Sequence, residues 1–107
     1  MHTIIETPTF QRLWPHYWTE EERGEFAAYL AASPEAGDVV KGSGGVRKVR
    51  WARKGGGKSG GVRVIYFNRL ANGEIILLFL YAKNEFDSVA GEKLKELKNV
   101  IEKAYGR

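Results

Sequence analysis

The sequence predicts an α+β fold, and three observations lead to that prediction. Segments rich in β-branched and aromatic residues follow one another between residues 46 and 85, separated by turn residues. Apolar residues at helical spacing precede these strands, and another amphipathic stretch follows them. The expected element order is β-α-α-β-β-β-α. With 107 residues the chain has the commonest domain size, so we expect residues 1–107 to form a single domain.

The N-terminal third predicts a short strand, "HTIIE", and then two helices. In the first helix apolar residues recur at helical spacing until Pro15 ends or kinks it. Thr19 and Glu22 form a capping box for the second helix, which stops at Pro34. The apolar positions of the two helices are Phe10, Leu13, Trp14, Tyr17, Phe26, Tyr29 and Leu30.

The stretch "VRKVRWAR" alternates between apolar and basic residues, which predicts a strand with two different faces. Val49 and Trp51 point to one side. Lys48 and Arg50 point to the other side, as does Lys54 if the strand stays regular. One face therefore belongs to the core and the other is basic.

Two further strands and a final helix complete the prediction. "GVRVIYFNRL" leads through an Asn-Gly turn into "EIILLFLYAKNE". Because Ile75–Leu80 is apolar on both faces, we expect that strand to be central and covered on both sides. The last helix runs from about Asp87 to Tyr105, with Asp87 or Ser88 as its cap. Its apolar stripe comprises Leu94, Leu97, Ile101 and Ala104.

Positive charge is concentrated in the middle of the chain. The net charge is +4, but nine basic residues and no acidic residue lie between Val39 and Gly73, and all thirteen acidic residues lie elsewhere. A positive block of this kind is either a solvated face or a contact for a polyanion. On strands beside a Gly-rich loop it favours nucleic acid. The nine residues are Lys41, Arg47, Lys48, Arg50, Arg53, Lys54, Lys58, Arg63 and Arg69.

The composition argues against several other classes. No Cys is present, which excludes disulfides, thiolate metal sites and Cys nucleophiles. No apolar run is long enough for a membrane span and the start lacks the features of a signal peptide, so we expect a cytoplasmic protein without membrane association. His2 and His16 are the only histidines and have no ligand-like spacing to acids, and no serine has a plausible His base. We therefore expect no metal and no other cofactor.

The segment "ARKGGGKSGG" at residues 52–61 fits a relaxed form of the phosphate-binding P-loop. A P-loop needs a helix that starts directly after its Lys-Ser pair. Gly60 and Gly61 disfavour a helix, and a strand follows them. The segment is therefore predicted to be a cationic hairpin loop rather than a nucleotide-binding site.

The basic residues can also support chemistry. RNA cleavage requires removal of a proton from a 2′-hydroxyl, stabilisation of charge on the phosphate and protonation of the leaving oxygen. Lys and Arg stabilise the charge, a Lys with a depressed pKa can transfer a proton, and Tyr can donate one. A site without His or metal could thus form from Lys48, Arg50, Arg63, Tyr81 and Lys83. The same residues could instead only hold phosphates.

Three stretches of the sequence resemble one family. "SPEAGDVVKGSGGVRKVRW", "RKGGGKSGGVRVIYF" and "LLFLYAKNE", in this order and spacing, resemble the HigB-like branch of the RelE/ParE toxin superfamily of type II toxin–antitoxin systems. The resemblance covers nearly the whole chain. It implies a RelE-like fold, in which a twisted antiparallel sheet carries an N-terminal helical pair and a C-terminal helix. That fold agrees with the element order above.

The resemblance also implies roles for individual residues. "RKVR" is similar to the family's K-x-K strand, which assigns Lys48 and Arg50 to phosphate contact or proton transfer. "GVRVIY" looks like the family's G-x-R-h-h-Y strand, where h is apolar, and assigns Arg63 to the scissile phosphate. "AKNE" is similar to G-K-R-E in RelE, so Lys83 matches its lysine and Asn84 replaces its arginine.

One aromatic position of the family has no counterpart here. RelE has a base-stacking tyrosine at the place that corresponds to the surroundings of Ala90, where this chain has none. Either Tyr81 substitutes for this tyrosine, or base stacking is weaker or differently arranged. The residues expected to contact RNA without taking part in the chemistry are Arg47, Arg53, Lys54, Lys58 and Asn84.

The function that the resemblance implies is a ribosome-dependent mRNA endoribonuclease that inhibits translation. It would act without a metal in the ribosomal A site, through attack of a 2′-hydroxyl on the adjacent phosphate. A cognate antitoxin, expected to be a helix-turn-helix protein of the HigA kind, would neutralise it. Two alternatives stay open, namely a DNA gyrase poison like the ParE members and an RNA-binding module without catalysis.

Overall fold

The computed structural model describes residues 2–52, 61–83, 85 and 89–105 and has a mixed α+β fold. In this described part of the chain, one five-stranded sheet carries three helices and two short 3₁₀ helices. The strands are β1 (Thr3–Glu6), β2 (Asp38–Val39), β3 (Arg47–Trp51), β4 (Val62–Arg69) and β5 (Glu74–Ala82). The helices are α1 (Pro8–Leu13), α2 (Glu20–Ala32) and α3 (Gly91–Ala104), and the 3₁₀ helices are Trp14–His16 and Leu70–Asn72.

The strand order in the sheet is β1-β5-β4-β3-β2. The pairs β2–β3, β3–β4 and β4–β5 are antiparallel, whereas β1 pairs with β5 in parallel. Parallel pairing needs a long crossover, which α1, α2 and the following strands provide here. The predicted α+β layout is therefore confirmed, with β1 added in parallel and the two-residue β2 too short to show in the sequence pattern.

Two apolar cores lie on opposite faces of the sheet, and β5 contributes to both, as predicted for a central strand. The first core lies between the sheet and the helices α1 and α2, and includes Phe10, Phe26, Leu30, Val49, Tyr66 and Leu77. The second core lies between the sheet and α3, and includes Val46, Ile65, Phe67, Ile76 and Leu94. We call these sheet surfaces the α1–α2 face and the α3 face.

The N-terminal helices begin and end where the sequence predicts. Thr7 caps α1 by accepting a hydrogen bond from the Phe10 amide, and the chain tightens into a 3₁₀ turn at Pro15. The capping box of α2 is present, because Thr19 accepts from the Glu22 amide and the Glu22 carboxylate accepts from the Thr19 amide.

The predicted cap of the last helix is wrong. Helix α3 begins at Gly91 with Ala90 as its N-cap residue, and no side chain of the described residues caps it. A Cβ atom on Gly91 would lie 2.0 Å from the carbonyl oxygen of Lys41. Close backbone contact with the loop at Lys41 thus locates the start of α3, and only glycine permits that approach.

Candidate functional site

Three of the predicted site residues form a row across the sheet. Arg50 on β3 lies directly opposite Arg63 on β4, and Arg63 lies directly opposite Tyr81 on β5. Lys48 lies two residues before Arg50 and opposite Ile65, so it shares the same face. The structure therefore brings Lys48, Arg50, Arg63 and Tyr81 together on the α3 face, and we call these four residues the cationic row.

The neighbours of Lys48 and Arg50 explain why their side chains take this face. Val49 is buried in the first core, and Trp51 packs edge-on against Phe26 of α2 with a centroid distance of 5.4 Å. Because strand residues alternate between faces, the basic residues between them point to the opposite side. The predicted separation of a core face and a basic face on β3 is confirmed.

The cationic row places like charges directly opposite each other. Residues opposite each other on neighbouring strands have Cβ atoms about 5 Å apart, and like charges there are destabilising. Strands β3 and β4 have the sequences RKVRW and VRVIYFNR and contain no acidic residue. Arg50 is exposed, while Lys48 and Arg63 are half-buried. The row therefore presents positive charge that an anion such as phosphate would neutralise.

Tyr81 closes the row at β5 and is 2% exposed. Its ring stacks on Phe79 with a centroid distance of 6.1 Å. Burial raises the pKa of the Tyr81 hydroxyl, and the nearby positive charge of Arg63 acts in the opposite direction. The hydroxyl thus stays protonated at neutral pH as a potential hydrogen-bond donor, and the side chain forms the floor of the site.

Lys83 lies exposed in the turn that follows β5. The Glu85 amide donates to the Ala82 carbonyl at 3.0 Å, and the Ala82 amide donates to Oε1 of Glu85 at 2.8 Å. These two bonds hold the turn closed around Lys83. Its position directly after Tyr81 and Ala82 puts it at the end of β5 nearest the cationic row.

Tyr17 fastens this turn to the N-terminal half of the chain. Its hydroxyl donates a hydrogen bond of 2.5 Å to the same Oε1 atom of Glu85. Burial, followed by the hydrogen bond and the negative charge of Glu85, raises the pKa of Tyr17 to about 12. The Tyr17 hydroxyl, followed by the Ala82 amide, lowers the pKa of Glu85. Sequence reasoning missed this pair because 68 residues separate its members.

Arg47 lies on the opposite side of the sheet from the cationic row. It pairs with the buried Tyr66 across β4, and its guanidinium donates to the carbonyl oxygens of Gly37 at 2.6 Å and Glu35 at 3.4 Å. These bonds give Arg47 a structural part in holding the loop before β2. Its predicted contact with RNA stays a prediction. The other predicted RNA-contacting residues, Arg53, Lys54, Lys58 and Asn84, lie outside the described residues, as do residues 53–60 of the hairpin loop predicted at 52–61.

The described residues contain neither a metal-binding cluster nor a membrane-spanning helix. Within 2–52, 61–83, 85 and 89–105, no cluster of three or more His, Asp or Glu side chains is arranged to hold a metal ion. No helix in that part of the chain is long and apolar enough to cross a membrane.

The fold and the cationic row together define a small α+β protein whose sheet has a basic face. Comparison with known proteins identifies its family. The family model of the RelE toxin of the RelE/RelB toxin–antitoxin system matches residues 18–106. The chain therefore belongs to the RelE toxin family, and it is a toxin for which this membership implies an antitoxin partner.

Two solved structures are similar in fold. A doubly substituted variant of the Escherichia coli toxin RelE in the free state has a TM-score of 0.62 at 13% identity, covering 92% of this chain and 97% of that chain. The isolated E. coli RelE toxin has a TM-score of 0.57 at 13% identity, covering 95% of this chain and 100% of that chain. These likenesses confirm the predicted RelE-like fold.

Proposed function

We propose that this RelE-family toxin is a HigB-like endoribonuclease that cuts mRNA in the ribosomal A site and thereby inhibits translation. The observation that carries the proposal is the cationic row, in which Arg50, Arg63 and Tyr81 lie opposite one another on three strands and Lys48 lies beside them. Cations converging on one face suit a phosphodiester that gains negative charge during cleavage.

The proposed reaction needs only groups of the protein and the RNA. The 2′-oxygen loses its proton and forms a bond to the adjacent phosphorus, while the bond from phosphorus to the 5′-oxygen breaks and that oxygen gains a proton. The products are a 2′,3′-cyclic phosphate and a 5′-hydroxyl. Arg63 stabilises the phosphate charge from the centre of the row, and Lys48 and Arg50 share charge stabilisation and proton transfer.

Tyr81 and Lys83 complete the proposed site from β5. The protonated and buried Tyr81 hydroxyl supports the row beside Arg63. Lys83 adds a positive charge from the turn that Glu85 closes. Arg53, Lys54, Lys58 and Asn84 extend the proposed RNA contact. Arg47 also stays a proposed RNA contact, and it holds the loop before β2 through its bonds to Gly37 and Glu35.

The proposed setting is the cytoplasm, where the toxin meets translating ribosomes. The antitoxin is proposed to be a helix-turn-helix protein of the HigA kind. The antitoxin would cover either the cationic row of the toxin or the surface by which the toxin enters the ribosome.

The test is primer extension on a reporter mRNA in a translating extract, with the same mRNA and protein in a ribosome-free sample. Cuts inside the translated region that require ribosomes support the proposal. Cuts in both samples would indicate a ribosome-independent nuclease. Intact mRNA with inhibited DNA gyrase would instead support a gyrase poison, and bound but intact mRNA would support an RNA-binding module.

A further inference from the structure

A pocket of about 390 Å³ lies at the edge of β5, beside the cationic row. Strand β1 pairs with β5 only as far as Leu77, and Thr7 then bonds through its hydroxyl to the carbonyls of Leu77 and Leu78. Beyond this point the 3₁₀ turn and α1 leave a space next to Phe79 and Tyr81. The pocket therefore opens where the sheet edge is not covered by β1.

The pocket is lined largely by apolar and aromatic side chains. Leu13, Tyr17 and Leu80 of the first core form one side, Phe79 and Tyr81 of the second core form the other, and the exposed Thr9 also lines the space. The volume lies in the range of small-ligand sites, which are typically lined by apolar and aromatic side chains with few polar groups. Flat aromatic walls suit a flat ligand, because ring systems stack face to face with an offset.

Among the described residues that line this pocket, Glu85 is the charged one, through its carboxylate. The Tyr17 hydroxyl and the Ala82 amide both donate to its Oε1 atom. A carboxylate accepts hydrogen bonds through two oxygens, so Oε2 offers acceptor positions in addition to these two bonds. The Glu85 charge opposes entry of a phosphate group, and its acceptor capacity favours a ligand with an N–H donor.

The pocket shares Tyr81 with the cationic row. Arg63 lies directly across from Tyr81, and neighbouring strands are about 4.8 Å apart. A phosphate held at Arg50 and Arg63 is thus one to two strand spacings from the pocket. A nucleotide has this arrangement of parts, with an anionic phosphate at one end and a flat base at the other.

We propose that this pocket binds a nucleobase carrying an exocyclic amino group, belonging to a nucleotide whose phosphate lies on the cationic row. The proposal rests on the proposed function, since it names a base-recognition subsite for the same RNA. Glu85 accepts a hydrogen bond from the amino group, as carboxylates do from cytosine N4. Uracil presents a carbonyl oxygen at the equivalent position, which the carboxylate repels. The pocket therefore discriminates cytosine from uracil.

The first test measures nucleotide binding to the purified toxin and requires neither ribosomes nor cleavage. NMR titrations with CMP, UMP and inorganic phosphate compare two bases that differ at the amino position. We expect CMP to bind at least about fivefold more tightly than UMP, as one charge-assisted hydrogen bond provides. CMP should shift the signals of Leu13, Tyr17 and Phe79, whereas phosphate alone should leave them unchanged.

Two variants separate the base contact from the general fold. In Glu85→Gln the amide oxygen can still accept from Tyr17 and Ala82, while an NH₂ group replaces Oε2. We expect this variant to bind CMP and UMP within about twofold of each other, whereas Glu21→Gln, an exposed control on α2, keeps the wild-type ratio. Thr9→Trp fills the pocket from its rim and should abolish the shifts at Phe79, while the control Ala28→Trp on α2 leaves them unchanged.

The outcomes distinguish this proposal from the proposed function. Equal binding of CMP and UMP by the wild type, or an unchanged ratio in Glu85→Gln, overturns the pocket proposal even if mRNA is cleaved. If the wild type binds CMP more tightly than UMP and Glu85→Gln loses this preference, the pocket proposal is supported even when no mRNA is cleaved. The absence of cleavage then contradicts only the endoribonuclease proposal. Where cleavage occurs, Glu85→Gln should also reduce a preference for cytosine over uracil at the cut sites.

Discussion

Arg50 and Arg63 lie directly opposite each other on neighbouring strands of the sheet. Neither strand contains an acidic residue that could separate the two charges. Like charges directly opposite each other disfavour strand pairing, and an anion bound between them would offset that repulsion. The same arrangement thus connects the stability of the toxin with its proposed action on RNA.

Replacement of Arg50 with Gln should stabilise the free protein. Removing one of two opposed like charges should raise the free energy of unfolding by about 0.2–1 kcal/mol at low salt. The gain should shrink at high salt, because Arg50 is exposed and its charge is screened. Urea unfolding at two salt concentrations measures both effects. Arg12→Gln, an exposed position on α1, is the control, and a loss of stability in Arg50→Gln at both salt concentrations would contradict the prediction.

Glu85→Gln should lower the pKa of Tyr17 from about 12 towards 10.0. The substitution removes the negative charge beside the phenol, but burial of Tyr17 continues to raise its pKa, so the final value stays above 10.0. An NMR titration that follows the Tyr17 ring signals measures this change. An identical pKa in the wild type and the variant would show that Glu85 does not act on Tyr17.

The same pair predicts the sign of two stability changes with pH. The folded-state pKa of Tyr17 is raised, so its contribution to stability is complete below pH 10.0 and is lost as pH rises through about 12. The folded-state pKa of Glu85 is lowered, so its contribution is present above pH 4.5 and is lost as pH falls through the folded-state value. The free energies of unfolding of the wild type and Glu85→Gln should differ least at acidic pH. A difference in the free energy of unfolding that stays constant across the acidic range would contradict the predicted contribution of Glu85.

Tyr66→Phe should destabilise the protein through a lost hydrogen bond in the first core. The fully buried hydroxyl accepts from the Gly37 amide and donates to the Pro34 carbonyl, each at 2.9 Å. Phe leaves the buried Gly37 amide without this acceptor, which costs about 1–3 kcal/mol. Tyr105→Phe at the exposed end of α3 should change stability by less than about 0.5 kcal/mol. Equal urea midpoints for the two variants would contradict the account.

The loop prediction concerns residues outside those that the structure describes. Lys54→Ala with Lys58→Ala should weaken RNA binding and reduce the steepness of its salt dependence, by about 0.7 per lost contact with a single strand. The control combines Lys93→Ala and Lys103→Ala on exposed positions of α3. Binding measured across a salt series gives the slope. An unchanged slope in the loop variant would remove its proposed contact with phosphates.

Local patterns in the sequence predicted much of the fold. The alternation in "VRKVRW" placed Lys48 and Arg50 on one face, and the capping box located the start of α2. The same alternation puts Arg47 on the side of Val49. Strict alternation along the strand therefore already separates Arg47 from the cationic row, as the structure shows.

Long-range contacts account for what the sequence did not predict. The parallel pairing of β1 with β5 joins residues about 70 positions apart, and the start of α3 depends on contact between Gly91 and the Lys41 carbonyl. The bond between Tyr17 and Glu85 likewise joins two distant segments. Single-sequence patterns report neighbours along the chain, whereas these features arise only when the segments pack together.

The most direct test of the central claim compares Arg63→Ala with Arg12→Ala in the translating extract. Both variants lose one arginine, but only Arg63 lies in the cationic row. Primer extension should show ribosome-dependent cuts with Arg12→Ala and at least about a hundredfold fewer with Arg63→Ala, as loss of a group that stabilises transition-state charge predicts. Undiminished cutting by a folded Arg63→Ala protein would contradict the assignment of cleavage to this row.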